Sequence, residues 1–405
     1  MAMINFFEKI ILISYSIPLV FCSAMFFYVF LLIVVGNKSF RMKLYHIYEL
    51  PIPSTKSHIA SFDFFRGLAA LWIASFHTWQ WLRPFNDSIY SIFPIIGKGN
   101  KAVPLFVELS GLLVYRSLRG KCSSADEVLR YAKRRFLRIY PLFFCTIIVS
   151  LLLGYFPSDP TKIQRFLAEV FMLRTFNYHS FVSPVTWSLY VEVLFYICLP
   201  VFVIIVRKNV ITISLLIFLV LSLIDSGQTR ELSIIKYFFV GIAVAEILAL
   251  SNNLEGLCQV RAFILFALGL ILLFLDFWNK DVLGLLFKFV NIDLKLDSTY
   301  SFSVGISFAL LLLSCIKFVP LVKIATSFPM RFLGVISYSL FMWHGFIVIA
   351  NTGIFFDGMG SPKGHAVIAD GGVGLFIGLY LPSFLLISAL SYACIERPFL
   401  KLRPK

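Results

Sequence analysis

The stretch SFDFFRGLAALWIASFHTWQW, residues 61–81, decides the fold of this chain. It is largely apolar, and about 20 such residues in a helix cross the ~30 Å hydrocarbon core of a bilayer. Arg66 and His77 interrupt it, eleven residues apart. Eleven residues make about three helical turns, so both side chains lie on one face, ~16 Å apart along the axis. A cation and a titratable base on one stripe of a membrane helix predict a site that holds an anion and performs proton chemistry.

The rest of the chain is equally apolar. Of its 405 residues, 59% are hydrophobic and only 14% are charged, and the mean hydropathy is +0.88. Soluble domains are about 25% charged, so this composition excludes a soluble protein. We predict an all-α fold, a polytopic transmembrane helical bundle. The apolar runs predict about eleven spans, at 10–35, 63–82, 102–116, 140–156, 186–206, 209–225, 234–250, 262–278, 301–318, 332–356 and 373–395.

The basic residues predict the orientation of these spans. About 23 of the 36 Lys and Arg residues lie on the side that includes segments 36–62 and 117–139. An excess of basic residues marks the cytoplasmic side. The N-terminus is therefore expected outside and the C-terminus in the cytoplasm. The same bias accounts for the net charge of +15, and we expect no nucleic acid partner.

The seven cysteines include no CxxC pair, and most lie in apolar segments. This pattern favours small buried residues over a disulfide framework or a zinc site. No metal is expected.

A basic helix is predicted within KCSSADEVLRYAKRRFLRIYP, residues 121–141. Ser124 and Glu127 form a capping box, which begins a helix. Like charges four residues apart on one face repel each other unless an anion lies between them. That anion is either a lipid headgroup or a phosphate of a soluble cofactor. The basic side chains concerned are Arg130, Arg134 and Arg138, flanked by Lys133 and Arg135.

Two further membrane segments carry polar stripes. In the segment 184–200, Ser188, Glu192 and Tyr196 share a face, and a carboxylate this deep needs a partner such as His77. The alternative is a structural ion pair. In the segment 332–346, His344 lies on a face with Gly334, Ser337 and Phe341, which could equally serve helix packing. At the C-terminus, Glu396 and Arg397 are interpreted as solvated interface charges.

Taken in order, these segments resemble the acyltransferase-3 family of integral membrane acyl-CoA-dependent O-acyltransferases. The resemblance covers roughly residues 60–400, so we divide the chain into an extra N-terminal helix with its linker, residues 1–60, and a ten-helix acyltransferase domain, residues 61–405. Glu108 departs from the family pattern, which more often has an apolar residue there. The matching motifs are Arg66 with His77, LFVELSGLLV at 105–114, RRFLRIYPLF at 134–143, WSLYVEVLFY at 187–196, GVISYSLFMWH at 334–344 and ERP at 396–398.

The resemblance implies an enzyme that transfers an acyl group, expected to be acetyl, from cytoplasmic acyl-CoA. It implies as acceptor a hydroxyl of an envelope glycan such as lipopolysaccharide O-antigen, in a bacterial inner membrane; peptidoglycan or a small molecule is the alternative acceptor. We predict His77 as general base and Glu192 as its orienting partner, by direct transfer or through an acyl-enzyme. The predicted donor-binding residues are Arg66, Arg130, Arg134, Arg135 and Arg138, and those lining the acceptor cavity are Trp187, Ser188, Ser337, Tyr338 and His344.

Two other classes of protein remain open. Intramembrane Arg, Glu and His residues also mark the substrate and proton paths of transporters and flippases. Against this, the sequence shows no inverted repeat of the kind many transporters have. A structural subunit of an envelope complex is the other alternative.

Overall fold

A computed structural model describes residues 36–48, 60–82, 94–152, 162–172, 187–225, 230–250, 259–278, 300–355 and 376–404. Within these ranges the regular structure is entirely helical. The first predicted span, 10–35, lies outside the described residues.

The helices in the N-terminal half are α1 (Lys38–Ile47), α2 (Ala60–Leu82), α3 (Ala102–Leu118), α4 (Ala125–Leu152), α5 (Lys162–Val170), α6 (Trp187–Ile205) and α7 (Val210–Ile224). A short 3₁₀ helix, Ile96–Lys101, leads into α3. The helices of the C-terminal half are α8 (Arg230–Leu250), α9 (Gln259–Phe277), α10 (Phe302–Ser314), α11 (Val319–Ala325), α12 (Phe328–Val335), α13 (Ser337–Phe355), α14 (Leu381–Ser391) and α15 (Arg397–Lys401), the last two joined by a π-helical turn, Tyr392–Glu396.

Five described helical segments are long and apolar enough to cross a membrane: α4, α6, α9, Ser233–Leu250 within α8, and Gly378–Lys401. Two bent pairs raise the number to seven, with α10 and α11 meeting at 89° and α12 and the first part of α13 at 70°. The predicted total of about eleven is not confirmed. The other apolar runs form helices below the about 20 residues of a full span, such as the 15-residue α7, or are less apolar, as α2 is.

The predicted start of a helix after Ser124 is confirmed at α4, with one of the two bonds of a capping box. The backbone N–H of Glu127 donates to Ser124 Oγ at 3.3 Å, which satisfies a donor that the first helical turn leaves without a partner. The carboxylate of Glu127 accepts at 2.8 Å from the backbone N–H of Ser123, one residue before the N-cap. The basic segment and the following apolar segment therefore form one 28-residue helix.

Glycines bring two pairs of helices into backbone contact. A Cβ placed on Gly241 of α8 would lie 2.0 Å from the carbonyl oxygen of Glu108, and one on Gly111 of α3 would lie 2.3 Å from that of Phe238. Likewise, a Cβ on Gly334 of α12 would lie 2.4 Å from the carbonyl oxygen of Asp63 in α2. Only glycine permits backbones to approach this closely, a common feature of helix packing in membranes.

Two buried ion pairs tie further helices to this core. Lys236 of α8 donates to Asp225 at 2.8 Å, with both side chains at most 3% exposed. Lys101, just before α3, donates to Asp276 of α9, which also accepts from Ser301 at the start of α10. Charges this deeply buried are tolerated only when they are paired. The two pairs therefore fix how these helices face one another.

Candidate active site

A cavity of about 220 Å³ lies among α2, α3, α4, α6 and α13, and the C-terminal Arg403 reaches it. We call it the arginine cavity, because four guanidinium groups line it, together with one carboxylate among the described residues, that of Glu192. The four arginines are Arg66, Arg135, Arg138 and Arg403. Apolar side chains such as Ile73 and Phe341 complete the wall.

The cavity has an excess of positive charge. Burial, followed by the like charges of Arg138 and Arg135, lowers the pKa of Arg403. The nearby carboxylate of Glu396 opposes this shift without cancelling it. A group of guanidiniums that destabilise one another in this way suits an anion, above all a phosphate, which arginine binds through paired N–H donors.

Arg138 is held in place by a buried carboxylate. Its Nη1 lies 3.3 Å from Glu396 Oε2, and Ser339 Oγ donates to Glu396 Oε1 at 2.5 Å. The Tyr338 ring lies under the guanidinium, 5.6 Å from Arg138 Cζ to the ring centroid. The interpretation of Glu396 as a solvated charge is wrong, since the residue is 2% exposed. Packing of the C-terminal helical segment against α4 and α13 buries it.

Glu192 lies at the arginine end of the site. Its carboxylate accepts hydrogen bonds from Ser110 of α3 and from Tyr196, one turn further along α6. It lines the same cavity as Arg66, whereas His77 lies about three helical turns away on α2. The expected direct contact between Glu192 and His77 is not among the contacts that the structure gives for Glu192.

His77 instead meets the second predicted histidine. The rings of His77 and His344 stack with their centroids 5.3 Å apart, and His77 Nδ1 lies 3.2 Å from Gln80 Oε1. His344 is fully buried, and its Nδ1 lies 2.7 Å from the carbonyl oxygen of Phe341. A carbonyl can only accept, so this Nδ1 carries the proton and Nε2 of neutral His344 carries the lone pair.

The histidine pair lies one helical turn beyond the arginine cavity. Ile73, which lines the cavity, precedes His77 by one turn, and Phe341 precedes His344 in the same way. The arginine cavity and the histidine pair therefore follow one another along α2 and α13.

The remaining predicted residues divide into two groups. Ser188 and Tyr338 line the arginine cavity with Arg66, Arg135, Arg138 and Glu192. The other four lie outside its lining. Among these, Arg130 is exposed, Ser337 is buried and donates to the carbonyl oxygen of Gly334 at 2.7 Å, and the two half-buried residues are Arg134 and Trp187.

Sequence reasoning assigned no role to Ser110, Glu396 or Arg403. Ser110 stands in a motif, LFVELSGLLV, that indicated the family but not a contact with Glu192. Glu396 stands in the ERP motif, whose position at the end of a span suggested solvent. For Arg403 no local signal exists, because only the packing of the chain end brings it to the cavity. Among the described residues, no group of three His, Cys, Asp or Glu side chains is arranged to hold a metal ion.

A helical bundle with apolar spans, an arginine-lined cavity and a stacked pair of histidines is the architecture of an integral membrane protein. A family model described as "Acyltransferase domain" matches residues 59–395. The chain therefore belongs to the acyltransferase-3 family of integral membrane acyltransferases.

Two curated relatives share part of the chain. It is 33% identical over 137 residues to "Putative acetyltransferase ORF330" of Acidianus two-tailed virus, covering 33% of this chain and 38% of that protein. It is 30% identical over 125 residues to "Acyltransferase MdmB" of Streptomyces mycarofaciens, covering 27% of this chain and 30% of that protein. The matches thus span about a third of the length of these relatives. No solved structure matches.

Proposed function

We propose that the protein transfers an acyl group from acyl-CoA to a hydroxyl group of an envelope glycan. The observation that carries this proposal is the arginine cavity, where four guanidiniums lie with the carboxylate of Glu192. The phosphates of coenzyme A suit these side chains. At about 220 Å³ the cavity is smaller than the ~300–1,000 Å³ typical of small-molecule sites, so it would hold only part of the coenzyme.

The direction of the site supports a thioester donor. Coenzyme A carries its phosphates at one end and its acyl group at the end of a long pantetheine arm. Arg66 and His77 are separated by ~16 Å along α2, with Ile73 between them in the cavity wall. Phosphates held at Arg66 would therefore place the acyl group near the histidine pair.

His77 is proposed as the general base. It takes the proton of the acceptor hydroxyl while the oxygen attacks the thioester carbonyl. The carbon–sulfur bond then breaks, and the thiolate of coenzyme A recovers the proton from His77. Positioned bases contribute about 10²–10⁴-fold in rate. A step through an acyl-enzyme would have the same overall balance.

For Glu192 we propose a task different from the predicted orientation of His77. Because it accepts from Ser110 and Tyr196 beside Arg66, we propose that it offsets part of the positive charge and orients these side chains. Stacking against His344 and the contact with Gln80 would orient His77 instead.

For the acyl group we propose acetyl, in line with the name of the viral relative. For the acceptor we propose a sugar hydroxyl of a surface glycan such as lipopolysaccharide O-antigen, reached from the outer side of a bacterial inner membrane, with the acyl-CoA bound from the cytoplasm. Transfer to peptidoglycan or to a small molecule would use the same residues.

The experiment is release of free coenzyme A from acetyl-CoA by purified protein in nanodiscs, measured with a thiol reagent in the presence of glycan acceptors. We expect release by the wild type, loss of at least about 10²-fold in His77→Ala, and no change in His46→Ala, whose side chain is exposed on α1. An intact thioester with transported substrate would instead indicate a transporter. Near-full release by His77→Ala would refute the assignment of the base.

A further inference from the structure

A second cavity, of about 410 Å³, lies between α4 and α6. It shares Arg135, Ile139 and Tyr196 with the arginine cavity, so these three side chains form a common wall. We call it the apolar groove, because nearly all of its remaining lining is hydrocarbon or aromatic. That lining includes Ala132, Phe136, Met172, Val193, Ile197 and Pro200.

The apolar groove opens on the surface that faces lipid. α4 and α6 are both candidate membrane spans. On their outer surface Phe136 is 55% exposed and Ile197 68% exposed, which in a membrane protein indicates contact with hydrocarbon. An occupant can therefore enter the groove sideways from the bilayer.

The apolar groove carries a positive charge partway along its length. Arg135 Cζ lies 5.8 Å from the centroid of the Tyr131 ring and 5.7 Å from that of Tyr196. Side chains on a helix lean towards its N-terminus, so the charge lies near the level of Tyr131, and Val128 continues the lining by one turn beyond it. Arg135 Nε is buried and has no hydrogen-bond partner among the described residues. The arrangement offers an anion a partner at the level of Tyr131.

The α4 part of the lining runs from Val128 to Tyr140, twelve residues or ~18 Å of helix. Half of the hydrocarbon core of a bilayer is ~15 Å, so the groove is long enough to hold one lipid chain. A positive charge within an apolar groove of this length is complementary to an anionic lipid.

We propose that the apolar groove binds one anionic phospholipid, with its phosphate at Arg135 and one acyl chain along α4 and α6. This site is distinct from the proposed acyl-CoA site. Arg66, Arg138 and Arg403 line only the arginine cavity, so three guanidiniums remain for the donor when a lipid occupies Arg135.

The test is native mass spectrometry of the full chain released from nanodiscs that contain equal amounts of phosphatidylglycerol and phosphatidylcholine. We expect one retained phosphatidylglycerol on the wild type. Arg135→Gln should lower the preference for phosphatidylglycerol about fivefold, the ratio given by ~1 kcal/mol per basic side chain. Lys133→Gln, which removes an exposed charge that lines neither cavity, should keep the preference.

Ala132→Phe provides an independent test, because it fills the apolar groove from an exposed position and so should not disturb the core. It should lose the retained lipid at an unchanged melting temperature. An unchanged preference in Arg135→Gln, an equal loss in Lys133→Gln, or full lipid retention in Ala132→Phe would each overturn the proposal. The proposal would also be overturned if Ala132→Phe kept its lipid but bound palmitoyl-CoA more weakly. The apolar groove would then hold the acyl chain of the acyl-CoA donor. Lipid retention needs no acyl transfer, so its outcome is separate from that of the proposed function.

Discussion

Substitution of Gly241 by alanine should separate two helices that hold the site together. The added Cβ would lie 2.0 Å from the carbonyl oxygen of Glu108 and 2.8 Å from the backbone nitrogen of Leu112. Both atoms belong to the backbone of α3, so no side-chain rotation can relieve the contact. To reach the 3.4 Å of ordinary van der Waals contact, α3 and α8 must move apart by about 1.4 Å.

This displacement has two measurable consequences. Overpacking of a close-packed interior costs about 1–3 kcal/mol. A clash with backbone atoms, which cannot rotate away, belongs at the upper end of this range. The movement also shifts Ser110, which lies on α3 midway between Glu108 and Leu112 and donates to Glu192 in the arginine cavity. A misplacement of about 1 Å in a site lowers the rate up to about 10²-fold.

The assay is a thermal melt of the detergent-solubilised protein, together with the release of coenzyme A. Gly241→Ala should melt several degrees below the wild type and lose most of its activity. The matched control is Gly36→Ala, because a Cβ on Gly36 meets no atom of the described residues within 4 Å. If Gly241→Ala melted and turned over like this control, the backbone contact between α3 and α8 would not hold the site as described.

Three further perturbations test other parts of the structure. Glu396→Gln removes the carboxylate 3.3 Å from Arg138, and breaking such a buried pair costs about 3–5 kcal/mol. Ser339 still has a hydrogen-bond partner, so the KM for acyl-CoA should rise more than kcat falls. An unchanged KM would contradict the positioning of Arg138 by Glu396. Lys236→Met leaves Asp225 buried without the Lys236 cation and should lower the melting temperature. The double variant Lys236→Met/Asp225→Asn should recover part of this loss. A double variant less stable than the single one would count against the pairing. Coenzyme A at 100 times its Kd should stabilise the wild type by about 2.7 kcal/mol in a thermal melt. Arg66→Ala should need more coenzyme A for the same increase in melting temperature. Equal titration curves for the two proteins would exclude Arg66 from the donor site.

Much of the local structure was determined by the sequence alone. The apolar stretch around Arg66 and His77 forms one helix, α2, and α4 begins directly after Ser124, which accepts from the backbone N–H of Glu127. Helix formation and capping depend on residues within a few positions of one another, so their signals are present in the sequence. The family motifs, being ordered along the chain, likewise identified the family.

Which side chains meet was decided only by the tertiary structure. Glu192 lies with Arg66 and Ser110 instead of with His77, Glu396 is buried against Arg138, and Arg403 returns from the chain end to the arginine cavity. The periodicity of a helix shows which residues share its face, but it does not give the depth and rotation of that helix against its neighbours. Those are set by contacts between distant segments, such as Gly241 against Glu108 and Gly334 against Asp63, where backbones pack directly and no local pattern records the partner.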